Sequence, residues 1–233
     1  MDSAQESSGI RQVLKRLVPR SLLRERETFL RLGSAGSEYF RLRVADVSFL
    51  RSRNAEPAPA HARSLVFVCF GNIMRSPMAE ALFHRAAAQT GLKNVTATSA
   101  GIHATPGNAV HPWALQAASE MGISLAGHRA RLLTPEVVAH ADVLFAMDFQ
   151  NKAEMVTLFP GSRPRVRMLS AYTRGPLHAR EILDPFFASV EGTRQCYRTL
   201  EECIQNLVCE LNRRTGNAPA RSEVAAPLGS GLS

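Results

Sequence analysis

The sequence predicts a three-layer α/β/α domain built on a four-stranded parallel sheet, preceded by an N-terminal extension. Three observations predict it. SLVFVCF (Ser64 to Phe70) and ADVLFAM (Ala141 to Met147) are continuous apolar runs of strand length, as in strands buried on both faces. Strand-like and helix-like stretches alternate across the middle of the chain, which implies parallel strands joined by crossover helices. The 233 residues, 45% of them hydrophobic, suffice for one well-formed core with additional chain.

In chain order, residues 1–62 form an arginine-rich extension that ends in a linker-like NAEPAPAHA (Asn54 to Ala62). The domain itself spans residues 63–213. Its first strand, SLVFVCF, is followed by a helix over Met78 to Gly91, with Pro77 near the first turn and Gly91 at the end. NVTATSAG is a second, short strand, and HPWALQAASEMG a second helix ended by Gly122. ADVLFAM is the third strand; DFQNKAEMVTLFP is a helix with Asp148 as its N-cap. VRMLS is the fourth strand, and Glu191 to Asn212 a long final helix. Residues 214–233 are rich in Gly, Pro, Ala and Ser and read as a disordered tail. There is no internal repeat.

Composition narrows the function classes. No apolar run is long enough to span a bilayer, and the start, MDSAQESSGIRQVLKR, lacks the apolar stretch of a secretory signal. Four cysteines without dense spacing argue against a disulfide scaffold, so a reducing cytoplasm is expected. Residues 1–60 hold eleven Arg/Lys against seven Asp/Glu, a net +4 of the total +8. That bias suits acidic or phosphate-bearing partners or a membrane surface, and by itself serves solubility. His61, His84, His103, His111, His140 and His178 form no metal-ligand spacing, so neither metal nor cofactor is expected, and no nucleic-acid partner.

The chemistry concentrates in VCFGNIMRSPMAE, Val68 to Glu80. Cys69 falls at the carboxyl end of the first strand, where open parallel sheets place ligand crevices. A short loop of Phe70, Gly71, Asn72, Ile73 and Met74 then runs into a helix N-terminus, whose free N–H groups and dipole favour an anion. Gly71 allows close backbone approach, and Arg75 adds a planar fork suited to two phosphate oxygens. A cysteine in such surroundings is expected to have a lowered pKa and to act as a thiolate nucleophile toward bound phosphorus. No Gly-Lys-Ser/Thr closes the loop, so it is not a Walker P-loop.

CFGNIMRSPMAE matches Cys-x-Gly-Asn-x-x-Arg-Ser-Pro-x-Ala-Glu, and here the chain resembles the low-molecular-weight protein tyrosine phosphatases. The resemblance continues through TSAGIHATPG, GISLAGHRARLLTP, ADVLFAMD and ILDPFF, over about residues 63–212. It implies that family's flavodoxin-like fold and a metal-independent, two-step hydrolysis of phosphotyrosine through a phosphocysteine at Cys69. It implies an acid at the downstream Asp-Pro, which is Asp184-Pro185; Asp142 and Asp148 are competing carboxylates better read as structural. It implies that Asn72 holds the loop in a strained conformation, that His128 is a buried histidine joining that network, and that Ser76 bonds the thiolate. Ser76 also reads as a helix N-cap. Phe186 and Phe187 stand where aromatic residues wall the family's substrate cleft. The implied substrate is a phosphotyrosine-bearing protein, such as a bacterial tyrosine kinase or an exopolysaccharide-assembly protein.

Where many members carry a second cysteine before the arginine, this chain has Met74, so disulfide protection of Cys69 by that route is absent. Rival readings remain. Arginine-phosphatase members favour a small threonine where this chain has Ile73, which favours phosphotyrosine with phosphoarginine as the alternative. Arsenate reductases on this scaffold need two cysteines after the third strand, and FAMDFQNKAEM has none; Cys196, Cys203 and Cys209 all lie in the last helix, the first two on one face. A non-catalytic phosphate-binding adaptor would have lost Cys69, Arg75 or Asp184. For residues 1–60, IRQVLKRLVPRSLLRERETFLRL reads either as an accessory region or as a basic amphipathic contact for anionic lipid, interrupted at Pro19.

Overall fold

The computed structural model of the chain describes residues 33–47, 58–59, 61–174 and 181–214. The basic amphipathic stretch up to residue 32, most of the linker, His178 and the tail beyond Arg214 lie outside the described residues. Four parallel strands form one sheet: β1 (Ser64–Cys69), β2 (Thr96–Gly101), β3 (Val143–Ala146) and β4 (Val166–Met168), in the order β2-β1-β3-β4. Among the described residues the α-helices are α1 (Gly36–Val47), α2 (Arg75–Thr90), α3 (Pro112–Glu120), α4 (Pro135–His140), α5 (Phe149–Leu158) and α6 (Val190–Arg214). No helix among the described residues is long and apolar enough to cross a membrane.

The alternation of β1 separates two cores. Leu65, Phe67 and Cys69 face one, with α2, α3 and α6; Val66 and Val68 face the other, with α1, α4 and α5. All six positions from Ser64 to Cys69 except the first are buried, the burial that the unbroken apolar run demands. Phe67 stacks on Phe145 of β3 at 5.6 Å between centroids and fills the layer below α2 and α6.

The strand order places a switch point beside β1: the chain leaves β1 for β2 on one side, then returns to β3 on the other. Crossover helices therefore diverge there and leave a crevice at the strands' carboxyl ends. Helix α2 starts at Arg75, three residues before the Met78 expected from sequence, because Pro77 needs no amide partner in a first turn. It ends at Gly91, φ +68°, a left-handed cap that a side chain would strain. Two helices escaped the sequence reading. α4 is a short helix begun by Thr134, whose side chain accepts the Val137 N–H. α1 belongs to the arginine-rich extension and buries Tyr39 and Leu42 against the α5 side of the sheet.

Candidate active site

Cys69 ends β1, and residues 70–74 bridge it to α2. The Cys69 sulfur lies 3.3 Å from the Asn72 amide, which donates to it, and 3.0 Å from Ser76 Oγ. Ser76 is buried in the first turn of α2 and is not its cap: the N-cap is Met74, whose side chain makes no capping bond. Ser76 Oγ also lies 3.2 Å from the Ala100 carbonyl, to which it donates. Its single proton can serve only one acceptor. With Cys69 as a thiol it faces Ala100; with a thiolate it can turn to the sulfur.

Asn72 shapes the loop. Its φ is +54°, the left-handed region that a non-glycine residue occupies only when held there. It is fully buried and its side chain is fully engaged. Nδ2 donates to Ser76 Oγ and Ser99 Oγ, each at 2.9 Å, and Oδ1 accepts the Arg131 amide at 2.8 Å. His128 Nε2 reaches both the Asn72 carbonyl and Oδ1, two acceptors, so that nitrogen carries the proton. His128 is half-buried rather than buried, and burial lowers its pKa against the hydrogen bond to Asn72. Ser99 donates to Glu80 at 2.6 Å, and Arg131 pairs with the same carboxylate at 2.8 Å. Ser99, Glu80 and Arg131 lie within stretches quoted for the resemblance, but nothing local to them marks a network; their convergence needs β2 beside β1.

Gly101 at the end of β2 sits opposite Cys69 in the sheet register. A Cβ there would fall 2.7 Å from the Asn72 amide nitrogen and 2.8 Å from the Phe70 oxygen. These are backbone atoms of the loop and cannot step aside cheaply. Gly101→Ala is expected to lower stability by about 1–3 kcal/mol and to weaken competitive inhibition by inorganic phosphate. Urea unfolding with phosphate inhibition measures both; if neither changes, the loop does not depend on this contact.

Arg75 is 1% exposed at the start of α2. One terminal nitrogen donates to Asp148 at 2.5 Å and to the Ile182 carbonyl at 2.9 Å; the other donates to Asp184 at 2.5 Å. Burial opposes its charge, but Asp148, Asp184 and the Cys69 sulfur outweigh burial and raise its pKa, so it stays a guanidinium. Asp148 does more than the capping role expected of it. Oδ1 accepts the Asn151 amide as N-cap of α5, at 2.7 Å, while Oδ2 holds Arg75. Asp142 is structural, accepting the amides of Arg63 and Ser64.

These groups open on a cleft of about 1360 Å3. Cys69, Gly71, Ile73, Met74 and Asp184 line it, with Phe70, Phe186 and Phe187. Phe70, Phe186 and Phe187 are exposed, and Phe187, at 90%, is not core packing. Phe186 is braced edge-on by His111 and Phe187. Some contributors from distant parts of the chain were not anticipated. Ser34 and Ala35, just before α1, line the cleft, as does Cys196 of α6. Cys196 is buried, and burial pushes its thiol up to about 12, so it stays neutral. Cys203 is a core residue, as expected from its spacing. Among the described residues, no group of three or more His, Cys, Asp or Glu could hold a metal ion.

Residues 64–217 match the family model described as low molecular weight phosphotyrosine protein phosphatase. The chain is 39% identical over 149 residues to a protein-arginine-phosphatase of Bacillus subtilis, covering 64% of this chain and 97% of that one. It is 31% identical over 150 residues to the low molecular weight protein-tyrosine-phosphatase Etp of Escherichia coli, covering 64% and 95%. A solved structure of the YwlE arginine phosphatase, a cysteine-to-serine mutant with its active-site serine phosphorylated, superposes with a TM-score of 0.59, shares 36% identity and covers 66% of this chain and 99% of that one.

Proposed function

Because the chain belongs to the low molecular weight phosphotyrosine protein phosphatase family, we propose that it hydrolyses phosphotyrosine on proteins through a phosphocysteine at Cys69. In the first step the Cys69 thiolate attacks phosphorus in line and the bond to the tyrosine oxygen breaks. Asp184, in its protonated form, gives its proton to that leaving oxygen. Arg75 and the loop amides hold the equatorial oxygens as charge redistributes, and Ser76 donates to the sulfur. In the second step Asp184, now ionised, takes a proton from water as the water attacks the phosphocysteine. Phosphate and the thiolate are released. The incoming phosphate replaces the carboxylate oxygen of Asp184 on Arg75, which frees Asp184 to face the leaving group.

The observation that carries phosphotyrosine is the cleft's mouth: Phe70, Ile73, Phe186 and Phe187 make it apolar and aromatic. A neutral aryl ring is stabilised against such walls by stacking and burial, whereas a substrate guanidinium would lose hydration there. Phosphoarginine is the second reading, favoured by the 39% identity to the Bacillus subtilis protein-arginine-phosphatase. A bacterial tyrosine kinase or exopolysaccharide-assembly protein is the class of substrate that the family resemblance implies.

The test is hydrolysis of a phosphotyrosine peptide and a phosphoarginine peptide of the same sequence, side by side with chelator present. The expected result is a kcat/KM ratio of at least about 10 in favour of phosphotyrosine, the discrimination one apolar contact set supplies. A ratio in the opposite direction makes the chain an arginine phosphatase; inertness toward both overturns the catalytic reading.

A further inference from the structure

Asp184 lies on a segment without regular secondary structure, residues 181–189, and its side chain is 37% exposed. A proton donor on such a segment needs its backbone held. Two of the tethers come from the residue just after β3 and from the start of α2: the Ile182 amide donates to the Met147 carbonyl at 2.7 Å, and Arg75 donates to the Ile182 carbonyl at 2.9 Å. The third is Glu181. One of its carboxylate oxygens accepts the Phe149 amide at 2.8 Å, at the first turn of α5, next to Asp148. The other pairs with Arg43 at 2.7 Å.

Arg43 comes from α1, outside residues 64–217 that the family model matches. It is held on several sides. Its Nε donates to Tyr39 Oη at 3.0 Å, and its guanidinium lies 5.3 Å from the Tyr39 ring centre and 5.1 Å from that of Phe149. Tyr39 and Leu42 anchor α1 in the core on the α5 side. The Glu181 side chain is only 10% exposed, so its charge depends on these partners. A continuous set of contacts therefore runs from the extension to the acid: α1, Arg43, Glu181, Ile182, then Asp184.

We propose that Arg43 and Glu181 are positioning residues for Asp184, so that helix α1 of the N-terminal extension sets the place of the general acid. The inference rests on the reading of Asp184 as that acid. Phosphoryl transfer tolerates little displacement of a proton donor, and a shift of about 1 Å costs up to about 10²-fold in rate. The extension is then part of the catalytic unit, although it lies in sequence outside the domain that carries the nucleophile.

Leaving-group dependence separates a displaced acid from a weakened fold. Release of phenol needs a proton, whereas 2,4-dinitrophenolate departs without one. In the full-length chain, kcat/KM, which reports the step that expels the phenol, is measured for phenyl phosphate and 2,4-dinitrophenyl phosphate. The variants are Arg43→Met, Arg43→Lys, Glu181→Gln and the control Asp184→Asn. Arg43→Met and Glu181→Gln are expected to lose about 10-fold on phenyl phosphate and less than about 2-fold on the dinitrophenyl ester. Arg43→Lys recovers part of the loss, and Asp184→Asn shows the same selectivity with a larger loss. Equal losses on both esters, or none on either, with Asp184→Asn still selective, overturn the inference and leave the acid assignment standing. An unselective Asp184→Asn overturns the acid assignment, and the inference with it.

Discussion

Cys69→Ser lowers kcat/KM toward a phosphotyrosine peptide by at least about 10⁴-fold, as removal of an activated nucleophile does. The loop offers donors to the sulfur: the Asn72 amide at 3.3 Å and Ser76 Oγ at 3.0 Å. Neither of these groups is a base. A thiol can ionise with such help, but a serine hydroxyl is far weaker as an acid and needs a base to become a nucleophile. The substitution is nearly isosteric at a position 3% exposed, so the cradle of amides and Arg75 persists. Inorganic phosphate therefore still binds the variant, and isothermal titration separates lost chemistry from a lost site. Residual turnover above about 1% of wild type would mean that another group attacks phosphorus.

Arg75→Lys is expected to cost about 10³-fold in kcat/KM although the formal charge is kept. The guanidinium spans Asp148, the Ile182 carbonyl and Asp184 with two nitrogens, and a single ammonium cannot reproduce that fork. Its loss frees Asp184 and removes the bidentate partner for phosphate in one change. Arg75→Ala goes further, leaving Asp148, whose side chain is 14% exposed, without its counter-charge. Its expected cost in unfolding free energy is roughly 3 kcal/mol, moderated because Asp184 reaches solvent. Urea titrations of both variants beside their kinetics make the distinction. A lysine variant with near wild-type kcat/KM would show that charge alone suffices and that the fork has no role.

The nucleophile loop was legible because its parts are contiguous. Strand, loop and helix N-terminus must follow one another within a few residues to put a sulfur, amides and an arginine on one anion, so VCFGNIMRSPMAE carries the whole arrangement. Strands β1 and β3 were legible for a similar reason: strands buried on both faces must be unbroken and apolar. Helix ends were less so. Pro77 read as lying near the first turn, but Arg75 and Ser76 are already helical, which removes Ser76 from the capping role. Asp148 read as a cap, and it is one; its second oxygen on Arg75 had no local signal, because that contact joins the start of α5 to the start of α2.

The extension was the least legible part. Tyr39 and Leu42 lie three apart on one face of α1, but Phe40 and Val44 are exposed, so the apolar pattern does not single out a buried stripe. Its docking against α5 depends on a surface made by distant residues, Phe149 among them. Local sequence determined the nucleophile, the anion cradle and the strand–helix alternation, since short-range sterics, hydrogen bonding and apolar periodicity act among near neighbours. The tertiary structure alone decided that two carboxylates share Arg75, that Gly101 presses on the loop, and that Arg43 reaches Glu181. Those contacts join residues far apart in the chain, and only the packed sheet and helices bring them within a hydrogen bond of one another.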